Sequence, residues 1–149
     1  MPYAPEVLTI AQTIQLSVSP VFMLAGIGAL LNVLAGRLSR VVDRSRALEA
    51  LHPRSTGPEH DRYVAELRLL DRRMSNINRA LFLAVSSAVM TCVVVAMLFV
   101  AVLSGLHIGQ FVSIAFILAM MLLIASLILF MIEVRMSVHA IQVRDELLH

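Results

Sequence analysis

Residues 36–79, GRLSRVVDRSRALEALHPRSTGPEHDRYVAELRLLDRRMSNINR, carry ten of the twelve basic residues of this 149-residue chain. All ten are arginines, and the six acids among them leave the segment with a net charge of +4. Long apolar stretches lie on both sides of it. Because loops rich in Lys and Arg remain in the cytoplasm, this segment predicts a membrane protein with its N-terminus outside and its C-terminus in the cytoplasm.

Three apolar stretches predict the membrane spans. They cover about residues 10–35, 80–103 and 111–132, each close to the ~20 residues that a helix needs to cross a bilayer. Hydrophobic residues make up 59% of the chain, so too few polar residues remain for the surface of a soluble domain. We therefore expect an all-α integral membrane protein, with three transmembrane helices in a single membrane domain over residues 1–149.

Two details of the spans stay open at this stage. Pro20 lies inside the first span and removes a backbone donor, so we expect a kink there; the alternative is a break with Ser19 as the cap of a second helix. After the third span, residues 133–149 are expected to form a cytoplasmic tail helix. Glu133, at its start, is expected to pair with Arg135, a neighbouring arginine or water.

Residues 36–79 themselves predict a cytoplasmic antiparallel helical hairpin. Two prolines and a glycine between His52 and Pro58 mark the turn. On each side of it, apolar residues recur every three or four positions, the spacing of a packed helical seam. These stripes are Leu34, Leu38, Val41, Ser45, Leu48 and His52 before the turn, and Tyr63, Leu67, Leu70, Met74, Ile77 and Leu81 after it.

One face of the first helix is richer in polar and small residues than the other spans. We give it two interpretations: a surface for helix packing, with Asn32 as an interhelical hydrogen-bond partner, or a pathway with a polar outer mouth and an apolar constriction. Its residues are Gln15, Ser19, Phe22, Gly26, Leu30, Asn32 and Val33.

Two arginine clusters flank the hairpin at its membrane end. Their default role is to fix the topology and to pair with Asp43 and Asp71, and they are also candidate contacts for anionic lipid headgroups or a protein partner. The acids interleaved among them argue against nucleic-acid binding. The clusters are Arg37, Arg40, Arg44 and Arg46, and Arg72, Arg73 and Arg79.

No set of residues predicts catalysis, a metal site or a cofactor, so we expect a protein that is not an enzyme. The second and third spans contain no acid, histidine or arginine at depth, where proton-coupled transporters carry such groups. The single cysteine, Cys92, lies in an apolar run and is expected to act as a small buried hydrophobic residue.

Several motifs resemble an uncharacterised bacterial family of small three-helix membrane proteins, the domain of unknown function 2721 family. They are P-V-F at 20–22, A-L-L-N-V at 29–33, R-L-x-R-V-x-D-R at 37–44, and LLDRRMSNINRAL at 69–81. The resemblance covers the chain from the first span through the third. It implies three helices and a bacterial plasma (inner) membrane, and it implies no activity.

The sequence favours a non-enzymatic homo-oligomeric scaffold or regulatory subunit that acts through the arginine-rich hairpin. The alternative is a homo-oligomeric ion channel lined by the first helix. Three spans bury little apolar surface within one chain, which is why we expect an oligomer in either case.

Overall fold

The computed structural model describes residues 4–51, 53, 56–105 and 107–146, with side chains described between residues 9 and 138 of these ranges. It contains the helices α1 (Ala4–Leu51), α2 (Pro58–Ser104) and α3 (Gly109–Glu146), and no strand occurs in the described ranges. Each helix is long and apolar enough to cross a membrane, over Thr9–Leu51, Pro58–Ser104 and Gly109–Val138. The all-α class is confirmed, and the three helices indicate a multi-pass membrane protein.

Glycines with positive φ stand at both connections between helices. Gly57 (φ 75°) directly precedes α2, and Gly105 (φ 63°) directly follows it. The left-handed conformation of Gly105 ends the helix in the usual way, because a residue without Cβ adopts it without strain. Pro58 then opens α2, where its missing N–H costs no hydrogen bond. The predicted turn therefore lies where the two prolines and the glycine indicated.

The helices form two compact units, Met1–Leu31 with Leu83–Ile124 (unit 1) and Asn32–Phe82 with Ala125–His149 (unit 2). In unit 2, Leu34, Val41 and Leu48 of α1 are buried at seven-residue intervals, and Leu70 and Ile77 of α2 are buried at the same interval. These five residues belong to the two predicted stripes, so the apolar seam of the hairpin is confirmed. His52, the last member of the first stripe, lies outside the described residues.

Contacts within unit 2 set the register of α1 against α2. Arg44 pairs with Glu66 across the two helices, and seven residues earlier in α1, Arg37 shares the carboxylate of Glu133 with Arg73, seven residues later in α2. Moving seven residues back along α1 is thus matched by moving seven residues forward along α2. This is the register of an antiparallel pair, as the sequence predicted.

Buried serine hydroxyls join α2 to α3 in each unit. In unit 2, Ser126 donates to the carbonyl oxygen of Ala80 at 2.8 Å. In unit 1, Ser87 donates to the carbonyl oxygen of Ala119 at 2.7 Å. Ser87, Ser126 and Ala119 are fully buried, so small residues bring the two backbones close enough for direct hydrogen bonds, as in other membrane helix pairs.

Two expectations about helix continuity have clear outcomes. α1 runs unbroken through Pro20, so the alternative of a helix break at Ser19 is wrong, and the kink stays a prediction. α3 likewise continues past Glu133 to Glu146. The residues expected to form a separate tail helix extend the third helix instead, and 147–149 lie outside the described residues.

The expected burial of Cys92 is wrong. Cys92 is exposed on α2, because its neighbour Thr91 takes the buried position.

We expect Ser126→Ala and Ser87→Ala each to lower the free energy of unfolding by about 0.6 kcal/mol, the usual worth of a hydrogen bond between membrane helices. Reversible unfolding in mixed micelles measures the loss. The control is Ser113→Ala, because the Ser113 hydroxyl is exposed and bonds only to Gly109 of its own helix. An equal loss in the control would show that the interhelical bonds contribute nothing.

Candidate functional site

A buried carboxylate ties together all three helices in unit 2. Glu133 of α3 is only 1% exposed, and each of its oxygens accepts from a different arginine. Nη1 of Arg37 in α1 lies 2.5 Å from Oε2, and Nη2 of Arg73 in α2 lies 2.9 Å from Oε1. Burial of a charged group is costly unless it is both paired and hydrogen-bonded, and this carboxylate is both.

Further contacts fix the two guanidinium groups. Nη2 of Arg73 also donates to the hydroxyl of Ser137, one turn after Glu133, and this hydroxyl donates to Oε1 of Glu133 at 3.1 Å. The guanidinium of Arg37 lies over the ring of Phe130, 5.2 Å from its centroid, within the range of a cation–π contact. Contacts beyond the two ion pairs therefore fix the positions of both guanidinium groups.

The charges of this cluster do not balance within the described residues. One carboxylate faces two guanidinium groups, which leaves one excess positive charge. In addition, the Nε of Arg73 is buried and has no hydrogen-bond partner among the described residues. A buried donor without an acceptor is uncommon and calls for an explanation.

An open cleft in unit 2, the arginine cleft, lies beside the cluster. Its volume is about 280 Å³, and it is lined by Arg37, Arg40, Val41, Arg44, Leu70 and Arg73. Arg44 is held by Glu66, whose Oε1 accepts from Nε at 3.0 Å and from Nη2 at 2.8 Å. Among the described residues, Arg40 bonds only to the backbone, through Nε to the carbonyl oxygen of Gly36 at 3.2 Å. With Glu133 and Glu66 counted, the four arginines carry a net charge of +2.

The arginine cleft brings together four of the seven arginines that the sequence singled out. Arg46 and Arg79 are exposed and line no described cavity, while Arg72 borders a separate depression with Arg68 and Asp71. Neither Asp43 nor Asp71 takes part in an ion pair among the described side chains. The expected pairing of these two acids with arginines of the opposite helix is therefore wrong.

The polar face of α1 is turned away from the packed side of the chain. Phe22 is 73% exposed, and Leu30 alone is half-buried among the seven residues named for this face; the exposed ones are Gln15, Ser19, Phe22, Gly26, Asn32 and Val33. The buried face of α1 consists of other residues, such as Thr13, Ser17 and Ile27. Asn32 makes no hydrogen bond among the described side chains, so a role in packing or in a pathway stays a prediction.

The sequence interpretation missed the role of Glu133. It offered Arg135 as the first partner, but Arg135 is exposed and the partners are Arg37 and Arg73. One signal was present: Glu133 is the first charged residue of α3, as Arg37 is the first one of α1 after Glu6. Charges that begin at the same end of neighbouring apolar stretches lie at the same depth and can meet.

Comparisons with known proteins add a family and no activity. A family model described as "Protein of unknown function (DUF2721)" matches residues 17–143. The matched range contains the arginine cleft, Glu133 and both of its partners. No curated protein and no solved structure matches the chain.

Proposed function

Because the chain belongs to the family described as "Protein of unknown function (DUF2721)", we propose a function from its own charges and helices. The protein is a non-enzymatic homo-oligomeric scaffold or regulatory subunit of the plasma membrane, and it acts through its arginine-rich hairpin on anionic headgroups or an acidic partner. Its membership confirms the resemblance seen in residues 20–46 and 69–81. The family description assigns no activity, so the proposal rests on the exposed arginines of the hairpin.

The surplus of exposed arginines on the hairpin carries this proposal. Among the described residues, six arginines of the hairpin are exposed and form no ion pair: Arg40, Arg46, Arg62, Arg68, Arg72 and Arg79. Near an anionic membrane surface each such residue is worth about 1 kcal/mol of attraction. An excess of Lys and Arg also favours the cytoplasmic side for the hairpin.

Charge reversal on the hairpin tests the proposal. In vesicles of phosphatidylcholine with a little fluorescent phosphatidylglycerol, a dye at the hairpin tip (E59C, with C92A) reports local lipid enrichment by energy transfer. We expect Arg68→Glu with Arg72→Glu to lower the enrichment at least about fivefold, because two surface cations become anions. The control, Arg68→Lys with Arg72→Lys, keeps the charge and should keep the enrichment. Unchanged enrichment in the reversed variant would contradict the proposal.

The exposed face of α1 favours a second candidate function, a homo-oligomeric ion channel. Polar residues such as Gln15 and Ser19 are exposed on a helix that is apolar enough to span a membrane. In lipid such residues turn towards another helix or towards water. The α1 helices of several copies would line a pathway with Gln15 and Ser19 at its outer mouth and Leu30 at its constriction.

Flux through proteoliposomes separates the two candidates. A Cβ added at Gly26 meets nothing within 4 Å, so Gly26→Leu leaves the packing of the chain intact and should block a pathway that α1 lines. Leu30→Ser should open it. Flat ion flux for both variants and the wild type excludes the channel, and native mass spectrometry that finds a monomer contradicts both the channel and the oligomeric scaffold.

A further inference from the structure

We propose that the arginine cleft is a binding site for one phosphate group, of the kind carried by an anionic phospholipid headgroup or by a small soluble phosphate ester. This inference rests on the proposed function, because it names the chemistry that the arginine-rich hairpin recognises. It concerns the four residues Arg37, Arg40, Arg44 and Arg73 and not the general charge of the surface.

The first support is that three of the four guanidinium groups are positioned in advance. Glu133 holds Arg37 and Arg73, and Glu66 holds Arg44. These acids accept hydrogen bonds from only some nitrogens of each guanidinium group: Nη1 of Arg37, Nη2 of Arg73, and Nε and Nη2 of Arg44. Apart from the buried Nε of Arg73, the other nitrogens remain as donors for a ligand. Pre-positioned guanidinium groups bind phosphate well, since two parallel N–H groups match two phosphate oxygens.

The second support is the charge that the site leaves uncompensated. The cleft holds a net charge of +2, and near neutral pH a phosphate carries one negative charge as a lipid diester and between one and two as a monoester. Arg40 contributes to this surplus and takes part in no ion pair within the described residues. If the arginines served only to neutralise Glu133 and Glu66, two guanidinium groups would suffice, whereas the cleft is lined by four.

The third support is the shape of the cleft. Val41 and Leu70 are almost fully buried and line the cleft together with the four arginines, so the cleft has an apolar part beside its charged groups. A volume of about 280 Å³ lies just below the range for small-molecule sites, about 300–1,000 Å³. It suits a single phosphate group whose substituent projects out of the open cleft.

The fourth support is the depth of the cleft in a bilayer. Arg79 is the last charged residue of α2 before its long apolar stretch, and it follows Arg73 by six residues, or about 9 Å along the helix. The headgroup layer is about 5–8 Å thick on each side of the hydrocarbon. With Arg79 at the hydrocarbon edge, Arg73 and Glu133 lie about 9 Å from that edge, just beyond the headgroup layer. A lipid phosphate is within reach of the cleft there.

Titration in a maltoside detergent, which carries no phosphate, tests the site. The probes are short-chain phosphatidylglycerol, short-chain phosphatidylcholine and inorganic phosphate, and the readout is saturable binding by native mass spectrometry or calorimetry. We expect one phosphatidylglycerol or one phosphate per chain, and weaker binding of phosphatidylcholine, whose choline group the cleft repels. The probe that saturates identifies the source of the phosphate.

Two matched variants decide whether the cleft is the site. Arg40→Gln removes a lining arginine that is exposed and unpaired, and it should weaken binding about tenfold, the effect of losing a charge-assisted hydrogen bond. Arg46→Gln removes an exposed arginine of the same helix that does not line the cleft, and it should change binding less than twofold. Equal weakening in both variants, or no saturable binding of any probe, overturns the proposal.

Failure of this site and failure of the proposed function remain distinguishable. The lipid-enrichment experiment reverses Arg68 and Arg72, which do not line the arginine cleft. Suppose that enrichment is lost in that variant and that no probe binds saturably in the detergent titration. The proposed scaffold would then attract anionic lipid through its diffuse surface charge, and the arginine cleft would not be a binding site.

Discussion

Replacing Glu133 with glutamine should lower the free energy of unfolding by about 3 kcal/mol, the largest loss that we expect from any polar substitution in this protein. The change keeps the volume of the side chain and removes its charge. It leaves the guanidinium groups of Arg37 and Arg73, which are 27% and 21% exposed, without an acid. The loss falls at the lower end of the 3–5 kcal/mol for a broken buried pair because both arginines keep some contact with water.

Two further variants show whether charge is the cause. The triple variant Glu133→Leu, Arg37→Leu and Arg73→Met removes all three charges of the buried cluster. Its free energy of unfolding should therefore return to within about 1 kcal/mol of the wild type or exceed it. Glu66→Gln breaks the exposed pair with Arg44 and should cost less than about 1 kcal/mol. Unfolding in mixed micelles at neutral pH measures all three. Equal losses for Glu133→Gln and Glu66→Gln would contradict the special role of the buried carboxylate.

Leu48→Ala should destabilise the hairpin by about 3 kcal/mol, in the range of fully buried leucines. Leu48 is 2% exposed and lies 11 residues beyond Arg37 in α1, about 16 Å further from the apolar stretch. At that distance we expect water and not lipid around Leu48. Its truncation therefore loses the transfer free energy of the side chain and also leaves a cavity, whereas within the bilayer the transfer term is absent.

The matched control is Leu69→Ala, a second leucine of unit 2 that is 40% exposed. It should cost less than about 1 kcal/mol, because little surface is withdrawn from water at that position. Thermal unfolding followed by circular dichroism in detergent compares the two. If Leu69→Ala costs as much as Leu48→Ala, the apolar seam does not hold the hairpin together.

The helices and the hairpin seam were predictable from the sequence because both depend on local periodicity. A span needs only a long apolar stretch, and a helical seam needs apolar residues at steps of three and four. The two predicted stripes therefore contain the five buried residues of the seam, Leu34, Val41, Leu48, Leu70 and Ile77. The turn was predictable for the same reason, since prolines and glycines act on the chain next to them.

The partners of Glu133 were not predictable in this way. Arg37 and Arg73 lie 96 and 60 residues away in the chain, and no periodicity relates positions on three separate helices. The contact requires the register of α2 against both neighbours, which Ser126 and Ala80 help to set through a hydrogen bond between them. Only when the register of the helices is known does it follow that Arg37, Arg40, Arg44 and Arg73 line the same cleft.

The ion pairs of Glu133 can form only late in biosynthesis, because the acid follows both arginines in the chain. Arg37 and Arg73 leave the ribosome before Glu133, and the 60 residues between Arg73 and Glu133 take about 3–12 s to translate at 5–20 residues per second. During that interval the first two helices carry two guanidinium groups whose acid has not yet been made. A nascent chain that stalls before residue 133 therefore carries two arginines whose buried acid is missing.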